Sequence, residues 1–313
     1  MRILSLAEIR RTIEYGAVLG RMREALVAWS RGECEMPMPM HLGIAPENAE
    51  VHIKSCYRRG GRYFALKVAS TFPGNVERGL ATGNGLMLLL SAESGKPAAL
   101  LADGGYLTDL RTAAVAAMMA RELGRRDRVL GILGTGVQAR LQAHLHAAAL
   151  GVEQVWLWGR TAAGAETCAR ELREALPAVE VTVAATPGEV ARRARLIVTC
   201  TAARAPLLRA EDVAEGTLIS AVGSDTPGKQ ELDAEILRRA GLLLADSRAQ
   251  CERLGELQHA PGEWGRVVEM GAYLECGGPA GELTVCDFTG LGVEDLAIAE
   301  YCYQAADPSG IPL

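Results

Sequence analysis

The sequence has few aromatic residues, no long apolar run and no long run of basic residues. Aromatic residues make up 4% of 313 residues and apolar residues 49%, so the core must rely on Leu, Val, Ala and Ile. A membrane-spanning helix needs about 18 or more consecutive apolar residues, and no such run is present. The formal net charge of −5 argues against nucleic acid, whose phosphates attract clustered basic side chains. We therefore expect a protein without a membrane or nucleic-acid partner.

The cysteine pattern lacks the close spacing of a metal or redox motif. The eight cysteines are scattered between Cys34 and Cys302 without a C-x-x-C pair, and no H-E-x-x-H occurs. We expect reduced cysteines, no disulfide framework and no metal site. The N-terminal apolar stretch contains Glu8 and lacks a small-residue cleavage site. This is unlike a signal peptide, so the expected location is the cytoplasm.

The second half of the chain alternates apolar strands with helical segments. The strand-like segments are 128–134, 154–159, 178–183, 195–201, 217–223 and 242–247. Helical segments separate the first five of them. This order predicts the α/β class, with a Rossmann-type, doubly wound parallel sheet.

The first part of the chain mixes helix and strand. Helical periodicity is found at 6–31, and helical segments are predicted at 106–127 and 290–307. A strand-like segment lies at 63–70, and a hairpin is predicted within 85–104, with 98–101 as its return strand. Thr108 or Asp109 can cap the helix at 106–127. The apolar face of the last helix can return to this region, which predicts a second domain of the α+β type.

The stretch "GILGTGVQAR" at 131–140 has the pattern G-x-G-x-x-A between a predicted strand and a predicted helix. Gly134 permits a tight turn, Gly136 lets a phosphate approach the backbone, and Ala139 lets the helix pack close to the sheet. A pyrophosphate would then bind the N–H groups at the helix start. The predicted cofactor contacts are Gly134, Thr135, Gly136, Val137 and Gln138. The alternative is a glycine-rich turn without a ligand.

The residues after the next strand bear on which dinucleotide binds. NAD-binding folds usually place an acidic residue there, on the ribose hydroxyls, but this chain has Gly159, Arg160 and Thr161. A guanidinium can grip a 2′-phosphate with two hydrogen bonds, and a hydroxyl can add a third. We therefore favour NADP(H) over NAD(H), with Arg160 and Thr161 as contacts. Arg160 can otherwise be a solvated residue or stack on adenine.

Several linked stretches together resemble the ornithine cyclodeaminase/μ-crystallin family over almost the whole chain. They are "ALKVASTFPGN", "GYLTDLRTAAVAA", "GILGTGVQAR", "AVGSDTPGKQELD", "GELQHA" and "VCDFTGLGVED". The resemblance implies a homodimer whose substrate-binding and dimerisation domain comprises 1–113 and 292–313. It implies an inserted NAD(P)-binding domain at 114–291, and hydride transfer at the α-carbon of a small amino or imino acid.

The resemblance also carries over site residues. Lys67 matches the family lysine at the substrate, Arg111 the arginine that binds the substrate carboxylate, and Asp225 the acid of the cyclodeaminase and alanine dehydrogenase branches. Lys67 is also a candidate proton donor if burial and Arg111 lower its pKa. Asp225 follows a predicted strand, at the edge where doubly wound sheets bind ligands. It can instead cap a helix beginning near Pro227.

Other family positions are less clear-cut. Many members carry a further carboxylate-binding arginine near residue 40, and this chain has none there. His41 or Lys54 are the candidate replacements. Thr201 and Val222 are expected near the cofactor, and so are Thr289 and Gly290, which with Asp287 are expected to form a turn near the nicotinamide. His259 is expected behind the site or at the dimer contact.

Three functions remain open from the sequence. The leading one is an NAD(P)-dependent oxidoreductase that acts as an imine or ketimine reductase, such as a 1-pyrroline-2-carboxylate reductase, or as an amino-acid dehydrogenase. The second is a cyclodeaminase-like lyase that converts ornithine to proline and ammonia and recycles NAD+. The third is a non-catalytic binding protein like μ-crystallin, against which the combination of Lys67, Arg111 and Asp225 argues.

Overall fold

The computed structural model describes residues 1–278 and 282–306. By its internal contacts the chain divides into two compact units. Unit 1 comprises Met1–Arg111 and the chain from Leu291 onward, and unit 2 comprises Thr112–Gly290. None of the helices in the described ranges is both long and apolar enough to cross a membrane.

Strands and helices of the described residues are numbered in chain order. The strands are β1 (Arg2–Ser5), β2 (Cys34–Glu35), β3 (Met40–Ile44), β4 (Ala49–Arg58), β5 (Tyr63–Thr71), β6 (Gly83–Ser91), β7 (Pro97–Ala102), β8 (Val129–Leu133), β9 (Gln154–Trp158), β10 (Glu180–Val183), β11 (Leu196–Thr199), β12 (Arg204–Leu208), β13 (Leu218–Ala221), β14 (Gln230–Leu232), β15 (Leu242–Ala245), β16 (Val268–Glu269) and β17 (Thr284–Asp287). The helices are α1 (Leu6–Thr12), α2 (Tyr15–Ser30), α3 (Tyr106–Glu122), α4 (Val137–Leu150), α5 (Ala162–Ala175), α6 (Pro187–Arg193), α7 (Ala234–Arg239), α8 (Arg248–Leu254), α9 (Met270–Cys276) and α10 (Gly292–Ala305).

Unit 1 is built on a mixed sheet in the order β1-β7-β6-β5-β4-β2, with β3 beside β4. All of these pairs are antiparallel except β1 with β7. Helix α10 packs on β4 and β5 and against α2. Along β5 the side chains alternate, so that Ala65 and Lys67 are buried while Leu66 and Val68 are only half-buried. The sheet therefore has one face covered by helices and a second face that is apolar and less covered.

Three predictions for the first region need correction. The predicted helix at 6–31 is two helices, because Ile13 and Glu14 are extended and the Glu14 carboxylate caps the start of α2. The predicted caps of α3 are wrong, because the helix begins at Tyr106 and its Leu107 N–H donates to Asp103 Oδ2 at 2.7 Å. That helix also ends at Glu122. Strands β3 and β4 were not predicted, although apolar residues recur at every second position in MHLGI of β3 and in AEVHIK of β4, which is the available strand signal.

Unit 2 contains an all-parallel sheet in the order β10-β9-β8-β11-β13-β17-β15-β16. The predicted α/β fold with a parallel sheet is therefore confirmed. Strand β8 has β9 on one side and β11 on the other, which makes its carboxyl end a topological switch point where such folds bind ligands. Strand β17 enters between β13 and β15, although the sequence predicted only a turn in this segment.

Candidate functional site

The glycine turn after β8 has the geometry of a phosphate cradle. Gly134 has a φ of 135°, and a Cβ atom there would lie 2.7 Å from Cys200 Sγ, so a larger residue would be strained and would collide. Gly136 is the N-cap of α4, and a Cβ atom there would have no neighbour within 4 Å. Ala139 is fully buried where α4 packs on the sheet. Neighbouring atoms thus fill the space beside Gly134, whereas the space beside Gly136 is empty, which suits a phosphate at the start of α4.

Arg140 braces this turn, a role that the glycine pattern did not indicate. Its Nη1 donates to the carbonyl oxygens of Thr135 at 2.6 Å and Gly136 at 3.0 Å, and its Nε donates to Glu171 Oε2 at 2.6 Å. The guanidinium thus ties the two loop carbonyls to α5. A charged residue directly after the glycine pattern was the available signal.

The loop after β9 contains the residues predicted to contact the cofactor ribose or its 2′-phosphate. A Cβ atom at Gly159 would collide with Thr135 Cγ2, so the glycine lets the two loops approach. Thr161 is the N-cap of α5, and its hydroxyl oxygen accepts from the Gly164 N–H at 3.2 Å. A hydroxyl that accepts in this way can still donate. Arg160 is exposed and forms no hydrogen bond or ion pair within residues 1–278 and 282–306.

Thr201 and Val222 lie after β11 and β13, but their polar groups are used within the protein. Both the N–H and the hydroxyl of Thr201 donate to Glu231 Oε1, at 2.6 and 2.7 Å, and the Gly223 N–H donates to Glu231 Oε2 at 2.9 Å. The Val222 N–H donates to the Thr199 carbonyl at 2.8 Å. These N–H and hydroxyl groups are therefore already used as donors within the protein, and a cofactor would contact other atoms of the two loops.

Thr289 and Gly290 are held in the same way by a buried acid. Their N–H groups donate to Asp246 Oδ2 at 2.7 and 2.6 Å. Asp287, expected in a turn, is instead the last residue of β17, and its carboxylate accepts from the N–H groups of Glu256 and Leu257, both at 3.0 Å. Strand pairing on both sides of β17 makes this segment extended.

Four buried acids follow one another through these contacts and form what we call the acid chain. Its members are Glu231, Glu256, Asp287 and Asp246. The backbone N–H of Glu231 donates to Glu256 Oε1 at 2.7 Å, that of Glu256 donates to the Asp287 carboxylate, and that of Asp246 donates to the Asp287 carbonyl oxygen at 3.2 Å. No Lys, Arg or His of the described part of the chain pairs with them. Burial raises the pKa of Glu231 and raises the pKa of Asp287 to about 7, against the opposing backbone hydrogen bonds.

Asp225 lies beyond β13 in unit 2, with its side chain 45% exposed. Its Oδ1 is 2.6 Å from Lys229 Nζ, a partner that the sequence did not single out. The alternative role of Asp225 as a helix cap is wrong, because a turn and then β14 follow Pro227. His259 Nε2 lies 2.7 Å from the Lys229 carbonyl oxygen, so the "GELQHA" stretch contacts the turn that follows Pro227.

Lys67 and Arg111 are brought together in unit 1, in what we call the mixed-charge cluster. Lys67 Nζ is 3.1 Å from Asp295 Oδ2, Arg111 Nε is 3.0 Å from Asp295 Oδ1, and Arg111 Nη1 is 2.7 Å from Glu294 Oε2. All four side chains are at most 4% exposed. The two acids belong to the quoted stretch "GLGVED", but no role was predicted for them. Two cations and two carboxylates balance each other in this cluster.

The first turn of α10 makes this cluster possible. A Cβ atom at Gly292 would lie 2.7 Å from the Ser55 carbonyl oxygen, so only glycine lets α10 approach β4 this closely. Acids in the first turn also suit the positive end of the helix dipole. Burial lowers the pKa of Lys67 to about 7, with Arg111 acting in the same direction and Asp295 opposing. Burial raises the pKa of Asp295, but Lys67 and Arg111 outweigh it and leave this pKa lowered.

Strands β3 and β4, the region that lacks the family arginine, carry other polar residues on the sheet face to which Lys67 belongs. Lys54 on β4 is directly opposite Lys67 on β5, and it contributes to the lowered pKa of Lys67. Further along, His52 is opposite His41 on β3, with ring centres 5.0 Å apart. Glu50 Oε2 lies 3.4 Å from His52 Nε2 and 4.0 Å from His41 Nε2. This group was not predicted from the sequence because ten residues lie between the two histidines.

Comparisons with known proteins agree with this geometry. The profile of the ornithine cyclodeaminase/mu-crystallin family matches residues 1–309. The Delta(1)-pyrroline-2-carboxylate reductase of Bacillus cereus is 32% identical, over 99% of this chain and 98% of the relative. The alanine dehydrogenase of Archaeoglobus fulgidus is 32% identical, over 97% of this chain and 94% of the relative.

Two solved structures share the fold over nearly their full lengths. An archaeal alanine dehydrogenase dimer with bound NAD has a TM-score of 0.88 and 29% identity, covering 100% of this chain and 98% of that one. The iminosuccinate reductase of Paracoccus denitrificans in complex with NAD+ has a TM-score of 0.86 and 28% identity, covering 99% and 97%.

The cradle and the parallel sheet form a Rossmann-type fold, and the relatives and solved structures named above are dehydrogenases and reductases of amino and imino acids. The chain belongs to the ornithine cyclodeaminase/μ-crystallin family, because the family profile covers almost its whole length.

Proposed function

We propose that this protein transfers a hydride between NADP(H) and the α-carbon of a small amino or imino acid, with net imine reduction or amino-acid oxidation. The observation that carries the proposal is the mixed-charge cluster, in which Lys67 and Arg111 are buried together and oriented by Asp295 and Glu294. Unit 1 would bind the substrate and unit 2 the cofactor. A cyclic imino acid of the 1-pyrroline-2-carboxylate kind is the first substrate to test, since relatives at 30–32% identity are named reductases of that compound.

In this proposal Arg111 and Lys54 receive the substrate carboxylate. A planar guanidinium held by two acids keeps its orientation, which favours a geometrically defined grip on a carboxylate. The two cations and two acids of the cluster already balance, so an added carboxylate calls for one more cation. Lys54, opposite Lys67 on the neighbouring strand, can supply that charge and stand in for the missing family arginine.

Lys67 would supply the proton that the imine nitrogen needs. A group with a pKa near 7 can both hold and release a proton under neutral conditions. A bound nicotinamide supplies the hydride in reduction and accepts it in oxidation. Lys67 donates to the nitrogen as the α-carbon is reduced, and the neutral amine of Lys67 takes that proton back in the oxidative direction.

Asp225, which follows β13 in the cofactor-binding unit, would serve as an acid–base residue, as the resemblance implies. Its Oδ1 lies 2.6 Å from Lys229 Nζ, an ion pair that holds the carboxylate in position. An ionised acid can orient an ammonium group or accept a proton from water. Lys229 and His259 then act as positioning residues for this carboxylate.

The cofactor would lie on the cradle after β8, with the phosphates at Gly136 and α4. Val137 and Gln138 open that helix, and Arg160 and Thr161 would bind a 2′-phosphate. The preference for NADP(H) rests on the exposed Arg160 and on the lack of an acid at 159–161. Binding titrations of NADPH and NADH test it: tighter NADH binding would overturn the preference, and Arg160→Gln should weaken NADPH binding alone.

We further propose a homodimer that works in the cytoplasm. The less covered face of the unit 1 sheet is apolar, with Ile3, Met40 and Leu42 each more than half exposed beside half-buried Leu66 and Val68. Apolar patches of this kind favour association. All eight cysteines are free thiols, as expected in a reducing compartment. Sedimentation of the wild type and of Leu42→Glu tests the dimer, and a monomeric wild type would contradict it.

The second candidate is a cyclodeaminase-like lyase, which the family membership and Asp225 keep open. After oxidation of the α-carbon, a side-chain amine would attack the iminium, ammonia would leave and the hydride would return. One assay separates the two. NADPH consumption with cyclic or linear imines, without proline formation from ornithine and NAD+, supports the oxidoreductase. Proline and ammonia without net change in the cofactor support the lyase, and binding without either reaction would leave a binding protein.

A further inference from the structure

We propose that His41, Glu50 and His52 form a binding site for one divalent transition-metal ion, which we call the strand site. The three side chains come from two paired strands of unit 1, β3 and β4. Their ligand atoms all lie within 4.8 Å of one another. Two imidazoles and one carboxylate are the ligand set that zinc and ferrous sites commonly use.

The backbone of β3 and β4 sets this arrangement before any ion arrives. His41 and His52 are direct cross-strand partners, so their side chains leave the same face of the sheet side by side. Glu50 is two residues before His52 on the same strand, which brings its side chain to that face as well. The site therefore needs no rearrangement of the main chain, only small rotations of three side chains.

The distances fit an ion between the three groups. Glu50 Oε2 lies 3.4 Å from His52 Nε2 and 4.0 Å from His41 Nε2. An ion bonded at about 2.0–2.2 Å to each ligand holds neighbouring ligand atoms only slightly closer than this. The site carries one negative charge when both imidazoles are neutral, which favours a cation. The side chains remain partly exposed, 51% for His41 and 22% for His52, so ions can enter and water can complete the coordination.

The strand site shares its sheet face with the mixed-charge cluster. His52 precedes Lys54 by two residues along β4, and Lys54 is opposite Lys67. Two residues of a strand span about 6.6 Å. A bound ion would thus place extra positive charge near the group that we propose receives the substrate carboxylate. The binding itself does not depend on the proposed reaction, so the two can fail separately.

The test is cobalt and zinc titration of the untagged, reduced protein, followed by calorimetry and by the cobalt absorption spectrum. We expect one ion per chain and no thiolate-to-cobalt charge-transfer band, since the ligands are nitrogen and oxygen. His41→Ala, at the most exposed of the three, should weaken binding at least about tenfold, and Glu50→Gln should do the same. His144→Ala, a half-buried histidine of α4 in unit 2, is the matched control and should leave binding unchanged.

Three outcomes would overturn the strand site. They are the absence of binding by the wild type, equal affinity in wild type and His41→Ala, and a thiolate band that assigns the ion to cysteine. Circular dichroism of each variant shows whether it is folded. If His41→Ala is misfolded, Glu50→Gln decides, because it keeps the size of the side chain and removes only the charge.

Discussion

The two units bury charge in opposite ways. In unit 1, Lys67 and Arg111 face Asp295 and Glu294, so each charge has a partner of opposite sign. In unit 2, the acid chain is stabilised mainly by backbone N–H groups, and no cation of the described residues pairs with it. Buried cations with acids behind them remain able to bind an anion. Buried acids that accept backbone hydrogen bonds can instead hold loops in place.

In the proposed function, the mixed-charge cluster takes part in the chemistry and the acid chain supports the loops. The acid chain receives the N–H groups of Thr201, Gly223, Thr289 and Gly290, all in loops at the carboxyl edge of the parallel sheet. A buried carboxylate with several such donors is satisfied without a cation. Mutations in the two clusters should therefore separate activity from stability.

The largest effect is expected for Arg111→Gln. It removes a buried cation and leaves Glu294 and Asp295 with less compensation, which should cost about 3–5 kcal/mol of unfolding free energy. The catalytic efficiency kcat/KM should fall by about 100-fold or more, because the proposed carboxylate grip is lost. Steady-state kinetics and chemical denaturation measure both. Arg111→Lys is the control: it should recover part of the stability but little of the activity, and full activity would contradict a bidentate grip.

Lys67→Met should lower kcat for imine reduction by about 100-fold, within the usual range for loss of a general acid. In the wild type this rate should fall as pH rises through about 7, since Lys67 loses its proton there. The variant should lack this step in its pH profile. A variant with a wild-type rate, or one that keeps the step, would remove Lys67 from the proposed proton transfer.

Asp246→Asn should act mainly on stability. The N–H groups of Thr289 and Gly290 share one carboxylate oxygen, and a neutral amide offers them a weaker acceptor. The expected cost is about 1–3 kcal/mol of unfolding free energy, seen as a lower denaturation midpoint. The rate at saturating cofactor should change much less than in Arg111→Gln. If Asp246→Asn lost as much rate as Arg111→Gln while its stability stayed unchanged, the acid chain would take part in the chemistry.

The smallest effect concerns the pH dependence of stability. The pKa of Asp287 is raised to about 7 when folded, whereas an unfolded Asp titrates near about 3.9. Between pH about 3.9 and about 7, the folded state holds a proton that the unfolded state has released. The contribution of Asp287 to the free energy of unfolding is therefore largest at low pH and is lost as the pH rises to about 7. Asp287→Asn should flatten that slope, by a few degrees in Tm across the window. If the slope of stability against pH is the same in Asp287→Asn as in the wild type, a group other than Asp287 causes it.

The sequence predicted the parallel sheet and the cradle because each depends on local patterns. Strand-helix alternation and the spacing of Gly134, Gly136 and Ala139 can be recognised without knowing the rest of the fold. Lys67 and Arg111 came from resemblance, since no local pattern separates them from surface residues, whereas Asp225 was also indicated by its position after a predicted strand. Their partners could not be predicted in this way.

What the sequence missed depends on distant pairing. Asp295 meets Lys67 only because Gly292 lets α10 approach β4, and His41 meets His52 only through the register of two strands. The acid chain joins four residues from separate segments of unit 2, two of them on strands β14 and β17. Strand β17 was missed because its short apolar run ends in Asp287, which resembles the start of a turn.

The central claim is hydride transfer to the α-carbon of an imino acid, and deuterium labelling tests it most directly. The protein is incubated with 1-pyrroline-2-carboxylate and NADPH that is deuterated at C4 of the nicotinamide, and the product is analysed by NMR. With deuterium at both C4 positions of the nicotinamide, we expect proline with deuterium at Cα in stoichiometric amount with the cofactor oxidised. If neither this substrate nor linear imino acids acquire deuterium while the cofactor still binds, the proposed oxidoreductase function is wrong.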